Sequence, residues 1–282
     1  MTIRLYAPNS KLGFFSSRNI DFPREGFPYK LKFTHRLCDT ITRRSRPDIC
    51  FYRPEAGGKL LAPYAKRLVY APHVVDCSLF CKSRVDTSAT AEKPFIIGYV
   101  GRLVKEKGIN ILLKVLREMP EQVRLVTIGE GPEEQPLRRL AEEYGLADRI
   151  EFRSPIPFSE VPAALNRMDV LVLPSLETPK WTELFGRVLI EAMACEVPIV
   201  ASRSGGIPEV VGDAALLVSP GDSRALAAAL EHLYNDASAR CELGCKGRKR
   251  ALSHFDVPVV ATLLGREIMD SVTLHHPEAD RG

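Results

Sequence analysis

From residue 95 onward the chain alternates short apolar runs with amphipathic stretches. "FIIGYV" (95–100), "VRLVTIG" (123–129), "RIEF" (149–152), "VLVLP" (170–174), "PIVAS" (198–202) and "ALLVS" (215–219) are continuous and rich in β-branched residues. Runs of this kind read as strands covered on both faces. Between them, "INILLKVLREM" (109–119) and "EEQPLRRLAEEYG" (133–145) repeat apolar residues at three- and four-residue spacing. That spacing predicts helices with one buried face, and Gly145 suits a C-cap. "SEVPAALNRM" (159–168) predicts a helix with Ser159 as N-cap and Pro162 in its first turn. Three further helical patterns, beginning "SRALAAALEHLYND", "ASARCELGCKGRKRALSHF" and "VPVVATLLGREIM", follow the last strand. Strand–helix alternation at this rhythm implies an α/β fold with a parallel, doubly wound sheet and right-handed crossovers. Ligands of such sheets bind at the carboxyl ends of the strands.

Residues 1 to 92 lack this rhythm. "FTHRLCDTI" (33–41) predicts a helix and "KRLVYAP" (66–72) a strand, but the remainder is rich in Pro, Gly and Arg. That leaves too few strands for a second complete parallel sheet. No repeats or low-complexity tracts break the chain.

Composition narrows the class. At 282 residues the chain suits one large domain or two modest ones, and 45% hydrophobic residues can fill a sizeable core. A net charge of +4 permits anionic ligands without demanding nucleic acid. Residues 24 to 53 carry eight Lys/Arg against three Asp/Glu, a solvated basic face or a peripheral contact with a membrane or anionic acceptor. The seven cysteines are odd in number and scattered, with no histidine pattern to complete a zinc site, as expected of thiols in a reducing cytoplasm. No signal-peptide pattern opens the chain, and no apolar run reaches the ~18 residues of a membrane span. A soluble cytoplasmic protein is expected.

The chemistry collects where the strands end. "GYVGRLVKEKG" (98–108) puts Arg102 and Lys107 on a strand–helix loop beginning at Gly101, where a diphosphate can meet backbone N–H groups and two cations. A solvated loop that holds two basic residues is the plainer alternative. "GEGP" (129–132) supplies Gly129 and Gly131 but lacks the third glycine of the dinucleotide fingerprint, and a simple turn explains it equally well. "TELFGRVLIEAMACEVPIVASRSGGIPEVVG" (182–212) is the most informative stretch. A helix beginning near Gly186 would bury Val188, Leu189, Ala192 and Met193 and offer its N-terminal amides to an anion. Glu183 lies just before that helix and Glu191 more than a turn inside it. Two carboxylates at different depths in one cleft suit hydroxyls on two parts of an extended ligand. A metal pair would bring denser carboxylates and histidine, and no metal site is expected. A capping Glu183 and a solvated Glu191 are the plainer alternatives. Cations, a helix N-terminus and hydroxyl-binding carboxylates converging on one cleft together describe a nucleoside diphosphate linked to a sugar.

In order along residues 95 to about 250, "GYVGRLVKEKG", "VTIGEGPE", "LADRIEFRSPIPFSEVPAALNRMDVLVLPS", "ELFGRVLIEAMACEVPIVASRSGGIPEVV" and "GDAALLVSPGD" resemble the donor domain of retaining GT-B glycosyltransferases, family GT4. The resemblance implies that Arg102 and Lys107 bind the donor diphosphate. It implies that Glu191 holds ribose hydroxyls, that Glu183 with the amides near Gly186 holds the transferred sugar, that Phe185, Gly186, Arg187 and Val188 belong to the donor-binding site, and that the backbone at Ile156 and Pro157 meets the base. It further implies a GT-B-like architecture: a partial acceptor domain and linker (1–92), a complete Rossmann-like donor domain (93–250) and a C-terminal helix and tail (251–282). The donor is a nucleotide-sugar substrate, no cofactor or metal is expected, and the acceptor is unidentified. A separate chain supplying the rest of an acceptor domain is an expected partner, and the chain alone is expected to transfer weakly or not at all. The rival readings are a non-catalytic nucleotide-sugar-binding subunit and a GT-B-fold epimerase. Family members usually carry Gly where this chain has Glu196 and Val74. The loop "SLETPKWTE" (175–183) is long and holds the single tryptophan, Trp181, expected as a hydrophobic lid anchor rather than a sugar-stacking platform.

Overall fold

The computed structural model describes residues 14–15, 49–53, 62, 66–83, 93–179 and 181–273. The helix expected over 33–41 and most of the basic segment 24–53 lie outside these residues. The chain divides into two compact units, residues 74–257 and residues 1–73 with 258–282. Those limits differ from the sequence-based cuts at 92/93 and 250/251, because residues 74–83 and 251–257 belong to the larger unit while 258–282 return to the first.

The larger unit is built on a six-stranded sheet: β4 (Phe95–Val100), β5 (Val123–Ile128), β6 (Ile150–Arg153), β7 (Val170–Leu173), β8 (Ile199–Ser202) and β9 (Leu216–Val218). Every pairing is parallel and the order is β6-β5-β4-β7-β8-β9. The two central strands are buried on both faces. Ile97, Val170, Leu171 and Val172 are fully inaccessible, which is why their sequences read as continuous apolar runs. Crossovers are made by α1 (Ile109–Glu118), α2 (Glu134–Glu143), α3 (Val161–Leu165), α4 (Arg187–Ala194) and α5 (Ile207–Val211). Then come α6 (Ser223–Asn235) and α7 (Ala237–His254), each started by an aspartate cap: Asp222 accepts from the Ala225 amide and Asp236 from the Ala239 amide, both at 2.9 Å. The expected cap at Ser159 is not made. That residue lies in a 3-10 turn, Phe158–Glu160, and α3 begins after it without any side-chain cap. A Pro-fixed first turn starts the helix in its place.

In the smaller unit, β1 (Phe14–Phe15), β2 (Ile49–Tyr52) and β3 (Arg67–Tyr70) form a parallel three-stranded sheet, the last of them the strand expected near residues 66–72. Ile49, Phe51, Val69 and Ala71 pack together, with Leu264 of α8 (Val257–Thr273) against them. Glu267 and Asp270 of that helix face Arg67, at 2.6 and 3.9 Å.

Candidate functional site

Sheet order decides where a ligand can sit. Chain order runs outward from β4 through β5 to β6, then returns to β7 on the other side of β4. The reversal between β4 and β7 is a topological switch point, where loops leaving adjacent strands diverge and open a crevice at the carboxyl edge. The Arg102–Lys107 loop leaves β4 and the 174–186 loop leaves β7. Two motifs seventy residues apart in sequence therefore meet because of strand order.

They meet through several contacts. The Leu176 amide donates to the Glu106 carbonyl at 2.7 Å. Lys107 Nζ pairs with Glu183 Oε2, which also accepts from Ser175 Oγ at 3.1 Å. Ser175 is fully buried and Glu183 nearly so. The Glu183 carbonyl accepts from the Gly206 amide at 2.8 Å, tying in the loop after β8. Beneath the β4 loop, the buried Tyr99 hydroxyl donates to the Arg102 carbonyl at 2.8 Å. Burial, reinforced by the nearby Glu183 charge, pushes that phenol well up, so it stays a proton donor. Arg102 is exposed, and among the described residues its guanidinium has no hydrogen-bond or ion-pair partner. Two cations of one loop thus differ: Lys107 is engaged and Arg102 is free.

The glycines of "GEGP" let the loops after β4 and β5 pack closely on each other. A Cβ on Gly129 would run into the Gly101 carbonyl, and one on Gly131 into the Leu103 carbonyl. Backbone therefore lies directly on backbone where the β4 and β5 loops cross, held by the Leu103 amide on the Glu130 carbonyl at 2.9 Å. A simple turn does not demand this.

Gly186 is the N-cap of α4 with φ 73°, a left-handed conformation suited to glycine. No side chain caps α4, so the first-turn amides at Arg187 and Val188 are left for solvent or a ligand. Val188, Leu189, Ala192 and Met193 are buried as expected, and so is Ile190. Phe185 is buried too, edge-on to Phe255 at 5.9 Å. One turn inside the helix, the Glu191 side chain is 12% exposed, with Arg187 the nearest cation at 3.7 Å. Burial raises its carboxyl above the usual range, and Arg187 offsets only part of that. Glu191 accepts no hydrogen bond among the described residues.

On the other side of the switch point, a cavity of about 170 Å³ is lined by Ile128, Arg153, Ile156, Glu160 and Arg167, among others. It is smaller than the ~300–1,000 Å³ typical of small-molecule sites, so it can take only part of an extended ligand. Ile156 borders it half-buried; Pro157 beside it is exposed. Arg102, Lys107, Glu183, Gly186, Ile156 and Pro157 lie on loops or a helix start after the strands' carboxyl ends, and Glu191 lies within α4. What the sequence missed is the environment of Lys107. The Trp181 ring centroid lies 5.5 Å from its ammonium, a contact the sequence did not suggest. Among the described residues no group of three or more His, Cys, Asp and Glu could hold a metal ion, and no helix is long and apolar enough to cross a membrane.

Similarity to known proteins follows the same boundaries. A sequence model of the family described as Glycosyl transferases group 1 matches residues 84–250. The chain is 33% identical over 171 residues to the GDP-mannose-dependent alpha-(1-6)-phosphatidylinositol monomannoside mannosyltransferase of Mycolicibacterium smegmatis, covering 58% of this chain and 44% of that one. It is 33% identical over 198 residues to a capsular polysaccharide biosynthesis glycosyltransferase of Staphylococcus aureus, covering 64% and 49%. The chain spans about two-fifths to half the length of the curated relatives it matches. Among solved structures, sucrose-phosphate synthase from Thermosynechococcus elongatus aligns with TM-score 0.68 at 28% identity, over 83% of this chain and 61% of that one. Anabaena HepE, solved in complex with UDP, aligns with TM-score 0.75 at 23% identity, over 88% and 70%, and shares the fold. With its switch-point crevice, its sheet order and a family match over more than half its length, the chain belongs to the glycosyl transferases group 1, the GT4-type glycosyltransferases of GT-B fold.

Proposed function

We propose that this chain binds a nucleotide sugar in the switch-point crevice and takes part in moving its sugar to an acceptor with retention of anomeric configuration. The observation that carries the reading is the junction of the β4 and β7 loops, with a free Arg102, a half-free Lys107 and the uncapped start of α4 on one edge. In this reading the diphosphate lies between Arg102, Lys107 and the α4 amides, beside the crossing of the β4 and β5 loops at Gly101, Gly129 and Gly131. Glu191, buried and without a hydrogen-bond donor, accepts from ribose hydroxyls. Glu183 and the backbone from Phe185 to Val188 face the transferred sugar, and the base enters beside Ile156 and Pro157.

Chemically, breaking the glycosidic bond leaves negative charge on the departing diphosphate. Fixed cations and helix amides stabilise that charge as it develops, without reorganising at the moment of reaction. Two side-chain cations can do this without a divalent ion. The mannosyltransferase and capsular glycosyltransferase relatives support the reaction class; base, sugar and acceptor stay open. The test is to incubate the purified chain, with chelator present, with labelled UDP-, GDP- and ADP-sugars and candidate acceptors. Release of nucleoside diphosphate with the sugar on an acceptor or on water is expected, and NMR reads the product anomer. An intact but isomerised donor would point to an epimerase; a donor neither bound nor consumed would overturn the reading.

A further inference from the structure

Lys107, in the β4 loop, is held by two residues of the β7 loop at once. It sits in a 3-10 turn, Lys105–Lys107, between β4 and α1. Its side chain is 18% exposed, and its ammonium pairs with Glu183, whose Oε2 is itself fixed by Ser175. The Trp181 ring also lies against that ammonium. That residue stands on a tight reciprocal bridge in the β7 loop: the Thr178 amide donates to the Trp181 carbonyl at 2.9 Å, and the Trp181 amide returns to the Thr178 carbonyl at 3.2 Å. Its ring centroid lies 5.5 Å from Nζ, within cation–π range.

An ammonium has three N–H donors, and a lysine stem is long and mobile. One donor goes to Glu183. The face of an indole attracts the positive charge through its quadrupole but takes no lone-pair position away from a ligand oxygen. A second carboxylate in that place would also hold Lys107, yet it would repel a diphosphate. An aromatic face holds the cation and leaves it cationic. We propose that Trp181 is a positioning residue for diphosphate binding: it fixes the Lys107 ammonium over the crevice with donors still free, removing rotamer entropy that binding would otherwise have to overcome. The inference rests on the nucleotide-sugar reading above, with Lys107 as its phosphate contact.

Because Trp181 is the only tryptophan in the chain, it also reports on itself. The experiment uses the full chain and three nucleotides, UDP, GDP and ADP. Calorimetry identifies the tightest binder, and tryptophan fluorescence is then followed through the same titration. A fluorescence change that saturates with the calorimetric isotherm is expected. Trp181→Phe, which keeps an aromatic face, should bind within about threefold of the native chain, whereas Trp181→Leu should bind about ten- to thirtyfold more weakly. In a Lys107→Met background, Trp181→Leu should add no further loss. Melting temperatures of all variants are recorded, and affinities are compared per folded molecule. Losses that add in the double variant, or equal binding by Trp181→Leu and the native chain, would overturn the positioning role while leaving the nucleotide reading intact. Absence of calorimetric binding by all three nucleotides would instead remove the reading on which the inference stands.

Discussion

Arg248 and Arg102 lie in the same unit, and each carries a guanidinium with five N–H donors. Arg248, on α7, donates to the Phe80 and Ala194 carbonyls at 2.7 Å and to the Cys77 carbonyl at 3.1 Å. It thereby joins the segment around residue 80 to the end of α4 and to its own helix. Arg250, one half-turn on, does the same for the Val210 and Glu209 carbonyls, both at 2.7 Å. Arg102, at the carboxyl edge of the sheet, has no such partner. The two carboxylates of the crevice show a similar split: Glu183 is fixed by Lys107 and Ser175, while Glu191 is buried without a hydrogen bond. Where polar groups are saturated by the protein, they hold the fold together. Where the fold keeps them partly unsatisfied in a crevice, they are available to something else, and that availability costs stability.

The contrast can be broken from either side. Arg102→Met is expected to lower donor turnover, by transfer or hydrolysis, about 10²–10³-fold, because a stabiliser of the leaving diphosphate is gone. Its melting temperature should stay near that of the native chain, since no intramolecular bond is lost. Arg248→Met should do the opposite. Three carbonyls lose their donor, at a cost of about 3 kcal/mol in denaturant unfolding, while nucleotide affinity per folded molecule stays unchanged. If Arg102→Met destabilises the chain as much as Arg248→Met does, the distinction between free and occupied cations fails.

Glu191 sharpens the comparison. Its folded-state carboxyl titrates above its unfolded-state value because burial disfavours the charge. The folded state therefore binds this proton more tightly than the unfolded state. The corresponding stability is fully present below the unfolded pKa and lost as pH rises through the folded one. At neutral pH the ionised Glu191 is a net cost. Glu191→Gln should thus raise the melting temperature at about pH 7, with the gain shrinking towards about pH 4. The same substitution should weaken nucleoside diphosphate binding about tenfold, through loss of a charge-assisted acceptor. Glu183→Ala, by contrast, should weaken the sugar-bearing donor more than the nucleoside diphosphate, because it removes the sugar contact as well as one of the two groups that hold Lys107. Calorimetry of both ligands against both variants checks this division, and equal losses throughout would refute it.

The smallest effect is expected at Glu196. It follows α4 with φ 58°, the one non-glycine with positive φ among the described residues, at a position where the family usually has glycine. Its partner is Lys82 at 3.1 Å, an exposed pair of small worth. Glu196→Gly relieves the backbone but frees the unfolded chain and loses the pair, for a net gain of about 0.5 kcal/mol in denaturant melts.

How far the sequence carried these conclusions depends on which forces act locally. The six strands and most helix starts were legible within one or two residues, because strands buried on both faces can only be continuous apolar runs. Glu196 stood out as a departure before its strained backbone was known. The Ser159 cap failed because Pro162 and a 3-10 turn fix the start of α3 without a side-chain oxygen. The division at 73/74 and the return of 258–282 to the first unit depend on contacts between distant segments, which no local pattern encodes. The Lys107–Glu183 pair and the Trp181 face were hidden for the same reason: they arise only when strand order sets the β4 loop beside the β7 loop.

The central claim is that Arg102, Lys107 and the start of α4 at the carboxyl edge bind a diphosphate. Isothermal titration of the full chain with UDP, GDP and ADP, in the presence of chelator, tests this most directly. Saturable binding of at least one nucleotide, weakened by Arg102→Met and by Lys107→Met but not by Arg248→Met, is the expected result. No binding of any of the three, or binding insensitive to both crevice cations, would contradict it.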